Sequence, residues 1–293
     1  MHGIFAAVPT PIDPTGKPIL DLFISHCNWV LHNGCDGINI LGSTGEANSF
    51  DIKTRKNLMS IAARELNLTH LMVGTGTPSL SETLHLTEFA DTLGFRVALV
   101  LPPYYYKPVE DQGLFSWYKT LHSKLGNRRI KIYFYNFPQL TGVNLSTSII
   151  SSLNQSWPQR FCGIKDSSGD LSYCKLLAKN KDFRVFPSSE VSISEAFLSN
   201  FSGCISATAN QTSPLCATAW QNKQNEQTEL INKIKVIRDG IASEALVPSI
   251  KFLIGKRTGE KSWSNVVPPL HKISKRRMGE LENLEKVYLK LFS

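Results

Sequence analysis

"IKIYFY" at residues 130–135 and "VALVL" at 97–101 are apolar at nearly every position. A half-exposed strand alternates polar and apolar side chains, whereas a strand in a parallel sheet is covered on both faces and reads as a continuous apolar run. Six further short runs of this kind lie at 4–8, 37–41, 71–73, 161–164, 184–186 and 203–206. Stretches with helical periodicity separate them, near 20–33, 51–66, 80–93, 111–125, 146–155, 170–179, 191–200 and 213–222. Eight βα units in about 220 residues predict an α/β chain folded as a (β/α)8 TIM barrel. An open doubly wound sheet would use the same elements. Its marker, G-x-G-x-x-G after the first strand, is absent, and "GTGTPS" at 74–79 lacks the third glycine.

The barrel is expected to occupy residues 1–222. Residues 223–293 read as a C-terminal helical extension: "QNEQTELINKIKVIRDGI", a middle segment broken by Pro268-Pro269, and "MGELENLEKVYLKLF" with Leu281, Leu284, Val287, Tyr288 and Leu291 at helical spacing. No low-complexity linker separates the two, so the extension is expected to pack on the barrel.

Charge is unevenly placed. The net charge is +8, and residues 251–277 hold eight Lys or Arg against one acid, Glu260. Such a run suggests nucleic acid, but no stacking aromatics interleave with it and no nucleic-acid module is present. A solvated face or a subunit contact is the expected meaning, with no nucleic-acid partner. The six cysteines are scattered without a C-x-x-C pair, and the seven histidines lack H-E-x-x-H spacing, so no metal is expected and the thiols should be reduced. No apolar run is long enough to span a bilayer, and "MHGIFAAVPTP" has no basic start and meets Pro9 early. The expected location is the cytoplasm, without a membrane partner.

In a TIM barrel, chemistry sits where strands end. Those positions carry "GSTGE" (42–46), "PPYYYKP" (102–108), "YNFPQLTG" (135–142), Lys165, "PSSE" (187–190) and "SATAN" (206–210). In "GSTGE", glycines let the backbone approach a ligand and successive N–H groups can form an anion nest for a small carboxylate; a capped βα turn explains the same residues equally well. Tyr135 is either a buried tyrosine with a satisfied hydroxyl or a proton relay. Lys165 follows the apolar "FCGI". A lone lysine there is ordinarily a surface residue, yet an apolar wall lowers a lysine's pKa and frees the amine to attack a carbonyl.

Three of these motifs together, "GSTGE", "YNFPQLTG" and "GIKDSSGD" (163–170), resemble the pyruvate-dependent class I aldolase superfamily of dihydrodipicolinate synthase and N-acetylneuraminate lyase. The resemblance covers about residues 3–222 and continues weakly into the extension. It implies a (β/α)8 barrel with a helical extension, a cytoplasmic homotetramer, and a reaction of pyruvate or a related 2-oxo acid with an aldehyde, needing no cofactor. Residue by residue, it implies that Lys165 is the Schiff-base lysine and Tyr135 the proton relay. Ser43 and Thr44 would hold the pyruvate carboxylate, with Ser43 also in the proton path. Tyr105 matches a tyrosine that the synthases lend to a neighbouring subunit. Ser167, Ser189, Glu190 and Ser206, at the ends of the last three strands, complete the expected substrate-binding set.

Leu140 departs from the synthase pattern, which places an arginine there to grip a second carboxylate; leucine offers no such donor. "QLTGV" and Glu190 look more like the lyases, in which the latter position meets a sugar hydroxyl, although Ser189 stands where an aspartate is usual. Three activities therefore stay open: a synthase-like condensation, a neuraminate lyase, or a 2-keto-3-deoxy sugar acid aldolase. The rival from another class is a barrel that binds ligand without turnover.

Overall fold

The computed structural model describes residues 1–289. Eight parallel strands form one sheet: β1 (Gly3–Ala7), β2 (Gly37–Ile40), β3 (Leu71–Gly74), β4 (Val97–Val100), β5 (Lys131–Asn136), β6 (Phe161–Asp166), β7 (Arg184–Pro187) and β8 (Gly203–Ser206). Neighbours follow chain order from β1 to β7, and β8 pairs with β1. The Ser202 N–H donates to the Val185 carbonyl at 2.8 Å, bringing β7 against β8. The result is the (β/α)8 barrel that the apolar runs predict.

Nine helices accompany the strands: α1 (Leu20–His32), α2 (Ile52–Glu65), α3 (Leu80–Thr92), α4 (Asp111–Leu125), α5 (Pro138–Thr141), α6 (Thr147–Ser156), α7 (Leu171–Ala178), α8 (Ile193–Ala196) and α9 (Ala209–Gln221). Their starts follow from local chemistry. Asp51, Ser79, Ser146 and Asp170 each accept N–H groups from the first turn of the helix they precede. In α3 the buried stripe is Thr83, Leu86, Thr87 and Ala90, at i, i+3, i+4 and i+7, whereas α9 is buried at five consecutive residues, Ala209 to Ser213.

Two apolar layers result. Ile4, Ile38, Val73, Val100, Phe134 and Ile164 point outward under the helices. Phe5, Met72, Leu99, Tyr133, Phe186 and Ile205 fill the barrel. Both faces of each strand are thus buried, which is why the runs do not alternate.

Two helices depart from expectation. The helix expected over 191–200 is a single turn, Glu190–Ser192, running into the short α8. The chain then turns at Asn200, whose φ of 56° is left-handed and whose amide caps the Ala178 carbonyl at 3.1 Å. The helix expected to begin at 213, beside Pro214, begins at Ala209 instead. Its extra turn is held by tertiary bonds: Asn210 donates to the Ala7 carbonyl at 2.8 Å, and Thr212 to Glu190 at 2.9 Å.

Beyond the barrel lie α10 (Thr228–Ala242), α11 (Leu246–Thr258) and α12 (Lys275–Leu284), with one π-type turn at Glu285–Leu289. Leu281 is buried, Leu284 and Tyr288 pack on the core, and Val287 is exposed. Leu291 lies outside the described residues. Among the described residues, no helix is long and apolar enough to cross a membrane.

The basic run divides: Lys256, Lys261, Lys272, Lys275 and Arg276 are exposed, whereas Lys251 and Arg277 are buried and Arg257 is half-buried. Lys251 is fully buried and donates to Glu46 Oε1 at 2.6 Å. The Arg257 guanidinium lies 3.4 Å from the centre of the Trp29 ring and reaches His26 Nδ1 at 3.0 Å; burial pushes the His26 pKa down to about 3. Arg277 is buried and caps α10 by donating to the Gly240 and Ile241 carbonyls at 2.8 and 2.9 Å. Lys256 and Arg276 pair on the surface with Glu282 and Glu244.

The Lys251–Glu46 pair ties the extension to the "GSTGE" loop. Burial pulls the Lys251 ammonium below its ordinary pKa, and Glu46 opposes that pull. Breaking one side of a buried pair leaves the other charge uncompensated, at a cost of about 3–5 kcal/mol, whereas removing both is close to neutral. Lys251→Met should therefore lower stability by about 3 kcal/mol or more, and Glu46→Gln added to it should recover most of that loss. Denaturant titration of the single and double variants is the check; equal loss in both would contradict the pairing energetics.

Candidate active site

The position of Lys165 depends on an irregularity. Ile132 pairs with Phe161, but Tyr133 pairs with Gly163, so β6 carries one extra residue against β5. Side chains alternate along a strand, and Phe161 points outward with Ile132. Strict alternation from Phe161 would send residue 165 outward as well. The bulge inverts the phase, so Ile164 points outward and Lys165 inward beside Tyr135. Gly163 suits the bulge, because a Cβ there would lie 2.8 Å from the Tyr133 ring.

Lys165 is 4% exposed, and no carboxylate of the described residues pairs with it. Its Nζ lies 4.5 Å from the centre of the Tyr135 ring. The strand ends around it are cross-braced: Asn136 donates to Asp166 Oδ1 at 2.7 Å, and the Ser168 hydroxyl donates to Asp166 Oδ2 at 2.7 Å. Burial raises the Asp166 pKa, while those two donors oppose the shift. The frame around the lysine is thus built on hydrogen bonds from Asn136 and Ser168 to the adjacent Asp166 carboxylate, not on an ion pair with the lysine itself.

Tyr135 also stands within 3.4 Å of the Ser43 hydroxyl, joining β5 to the loop after β2. That loop, Gly42–Glu46, is pinned at its far end. The Thr10 hydroxyl donates to the Gly45 carbonyl at 2.9 Å, and Glu46, with a left-handed φ of 56°, accepts from Lys251 and from the Val267 N–H, each at 2.6 Å. The N–H groups of Ser43 and Thr44 donate to no protein acceptor among the described residues. Free adjacent N–H groups beside two hydroxyls make a carboxylate-sized nest.

These groups open into one cavity of about 720 Å³ at the C-terminal mouth of the barrel. Ser43, Thr44, Tyr135, Lys165 and Ser167 all line it, as does Leu140. The other expected residues lie elsewhere. Ser189 is not on the wall; its neighbour Ser188 is. Glu190 and Ser206 are buried behind the wall. Glu190 accepts from Arg238 Nη1 at 2.7 Å, from Thr212 at 2.9 Å and from Thr208, and Ser206 Oγ lies 3.0 Å from the same Arg238 nitrogen. A carboxylate with that many protein donors serves as the counter-ion of Arg238, not as a free acceptor for a sugar hydroxyl. Tyr105 is 73% exposed, outside its own cavity, edge-on to Tyr106.

Sequence reasoning missed Arg238 and the roof. Arg238 comes from α10; Leu246, Val247 and Pro248 open α11; Pro269, Leu270 and His271 lie in the irregular segment before α12. No motif marks them, since they reach the mouth of the barrel only through the packing of the extension. Among the described residues, no three His, Cys, Asp or Glu side chains stand together as a metal site.

Comparison with known proteins agrees over the whole barrel and extension. A family model described as the dihydrodipicolinate synthetase family matches residues 1–287. An uncharacterized DapA-like lyase of Chloroflexus aurantiacus is 30% identical over 91% of this chain and 88% of its own length. A 4-hydroxy-tetrahydrodipicolinate synthase of Dechloromonas aromatica is 27% identical over 87% of each chain. The crystal structure of dihydrodipicolinate synthase from Agrobacterium tumefaciens superposes with a TM-score of 0.91 at 28% identity, covering 99% of this chain and 100% of that one.

Proposed function

This chain belongs to the dihydrodipicolinate synthetase family of class I pyruvate-dependent lyases and aldolases, and from that premise we propose that Lys165 forms a Schiff base with pyruvate or a related 2-oxo acid. The enamine made from it then joins an aldehyde, or the reverse reaction splits the resulting 2-oxo acid. The observation that carries this reading is a buried lysine without a carboxylate partner, facing a cavity beside Tyr135. A primary amine that faces a cavity and is not taken up by an ion pair is available to add to a bound ketone.

The chemistry follows from the groups present. The Ser43 and Thr44 N–H groups and hydroxyls hold the carboxylate, which fixes the ketone carbon against Lys165 Nζ. The amine adds to that carbon, and water leaves to give the imine. The imine withdraws electrons from the neighbouring methyl carbon, which yields a proton and becomes the nucleophilic end of an enamine. Tyr135, within 3.4 Å of Ser43 Oγ, is placed to carry that proton away and later return one. Attack on the aldehyde carbon forms the new bond, and hydrolysis of the imine restores Lys165.

Tyr105 is exposed and stands outside its own cavity, which leaves it free to reach the cavity of a second copy; on that ground we propose a homotetramer. Full activity in a protein that sediments as a monomer would remove that assignment.

The direct test is borohydride reduction in the presence of pyruvate, followed by peptide mass mapping. One pyruvate-derived mass on the peptide holding Lys165 is expected. No adduct, or an adduct on another lysine, would overturn the proposal.

A further inference from the structure

The second reactant is left open by Leu140, but the walls of the cavity discriminate among aldehydes. Beyond the four groups that serve pyruvate, the wall is built largely from side chains with no donor or acceptor: Phe137, Leu140, Leu246, Val247, Pro269 and Leu270. Leu140 is 64% exposed, an apolar side chain held open at the mouth. Among the described residues, Arg238 is the one Lys or Arg on the wall besides Lys165. Its Nη1 is committed to Glu190, Ser206 and Thr208, and the Glu190 carboxylate balances its charge; Nη2 and Nε keep N–H groups for at most a single polar group of a ligand. No Asp or Glu of the described residues lines the cavity. Ser167, Ser188 and His271 are the remaining polar side chains.

A polyhydroxylated aldehyde buried here would leave several hydroxyls against hydrocarbon, and each unmade hydrogen bond is costly. An aldehyde carrying a second carboxylate lacks the bidentate donor that an arginine at position 140 would supply. An alkyl or aryl chain would instead cover the exposed Leu140 and the roof, gaining from apolar area removed from water.

Resting on the Schiff-base assignment above, we propose that the second reactant is an aldehyde with an uncharged apolar chain or ring, seated between Leu140 and the roof formed by Leu246, Val247, Pro269 and Leu270. In the forward direction the enamine carbon bonds to the aldehyde carbon, and the carbonyl electron pair moves to its oxygen, which takes up a proton. Water then releases a 4-hydroxy-2-oxo acid with an apolar tail from Lys165.

The experiment uses the full chain with pyruvate and a panel of aldehydes: propanal, butanal, pentanal and benzaldehyde against glyceraldehyde, erythrose and succinic semialdehyde. Borohydride trapping of pyruvate on Lys165 is run beside it. The expected result is kcat/KM rising about fourfold per methylene along the alkyl series until the seat is full. Butanal and benzaldehyde should exceed the hydroxylated and carboxylated aldehydes by tenfold or more. Leu140→Arg should lower kcat/KM for pentanal about tenfold and raise that for succinic semialdehyde.

An adduct on Lys165 together with preference for erythrose, glyceraldehyde or succinic semialdehyde would overturn this proposal and leave the Schiff-base assignment standing. So would an adduct with no condensation on the apolar aldehydes, or a Leu140→Arg loss equal on every aldehyde. Absence of the adduct would remove both proposals.

Discussion

Lys165→Met should abolish borohydride trapping of pyruvate and lower turnover by about 10⁴-fold or more, because the covalent route has no substitute nucleophile. Methionine keeps the length and most of the volume of the lysine stem. The fold should survive the change, since the side chain is buried without a carboxylate to lose. Replacing a buried polar amine by an apolar side chain of similar volume should leave stability unchanged or raised. Circular dichroism and denaturant titration of the variant, beside a pyruvate-consumption assay, separate the two effects. A folded variant that still turns over at more than about one part in a thousand would show that the reaction does not run through this amine.

Tyr135→Phe carries the second largest expected effect, a fall in kcat of about 10²- to 10⁴-fold, the range for loss of a positioned proton carrier. The ring stays, so the contact with Lys165 Nζ at 4.5 Å persists and the lysine keeps its place. Only the hydroxyl that stands 3.4 Å from Ser43 Oγ is lost. The signature is a split between steps. Borohydride should still trap the imine, while exchange of the pyruvate methyl protons with deuterated water slows in proportion to kcat. Equal loss of trapping and exchange would assign Tyr135 to imine formation or to framing the site rather than to the later proton transfer.

The two substitutions probe residues of different legibility. Lys165 and Tyr135 each close an apolar run, where a barrel does chemistry, but a lone lysine there is ordinarily a surface residue, and it is the resemblance of the three motifs that singles the two out. Ser43 and Thr44 stand beside glycines in close quarters, a Cβ on Gly42 lying 2.6 Å from the Asn39 amide nitrogen, but the motif alone reads equally well as a capped turn, and the resemblance decides between the two. Glu190 was harder. Its position after β7 suggested a substrate contact, but its carboxylate is taken by Arg238, Thr208 and Thr212, two of them on other helices. The basic run suggested a solvated face, and five of its eight cations are exposed, but Lys251 and Arg277 are buried and serve packing. In each case the deciding partner is tens to hundreds of residues away, beyond the reach of any local pattern.

By itself, the sequence determined the barrel. Strands covered on both faces must be apolar throughout, and helices must carry one buried stripe, so both read directly along the chain. It also determined which residues stand at the strand ends. The tertiary structure alone decided which way they point. Alternation counted from Phe161 would turn Lys165 outward, and the bulge between Ile132 and Tyr133 turns it inward beside Tyr135. A bulge exists only in the pairing of two strands, so neither strand's sequence displays it. The roof is decided in the same way: α11 and the segment around Pro269 come to lie over the cavity because Lys251 and Val267 are bound to Glu46, contacts that span more than 200 residues.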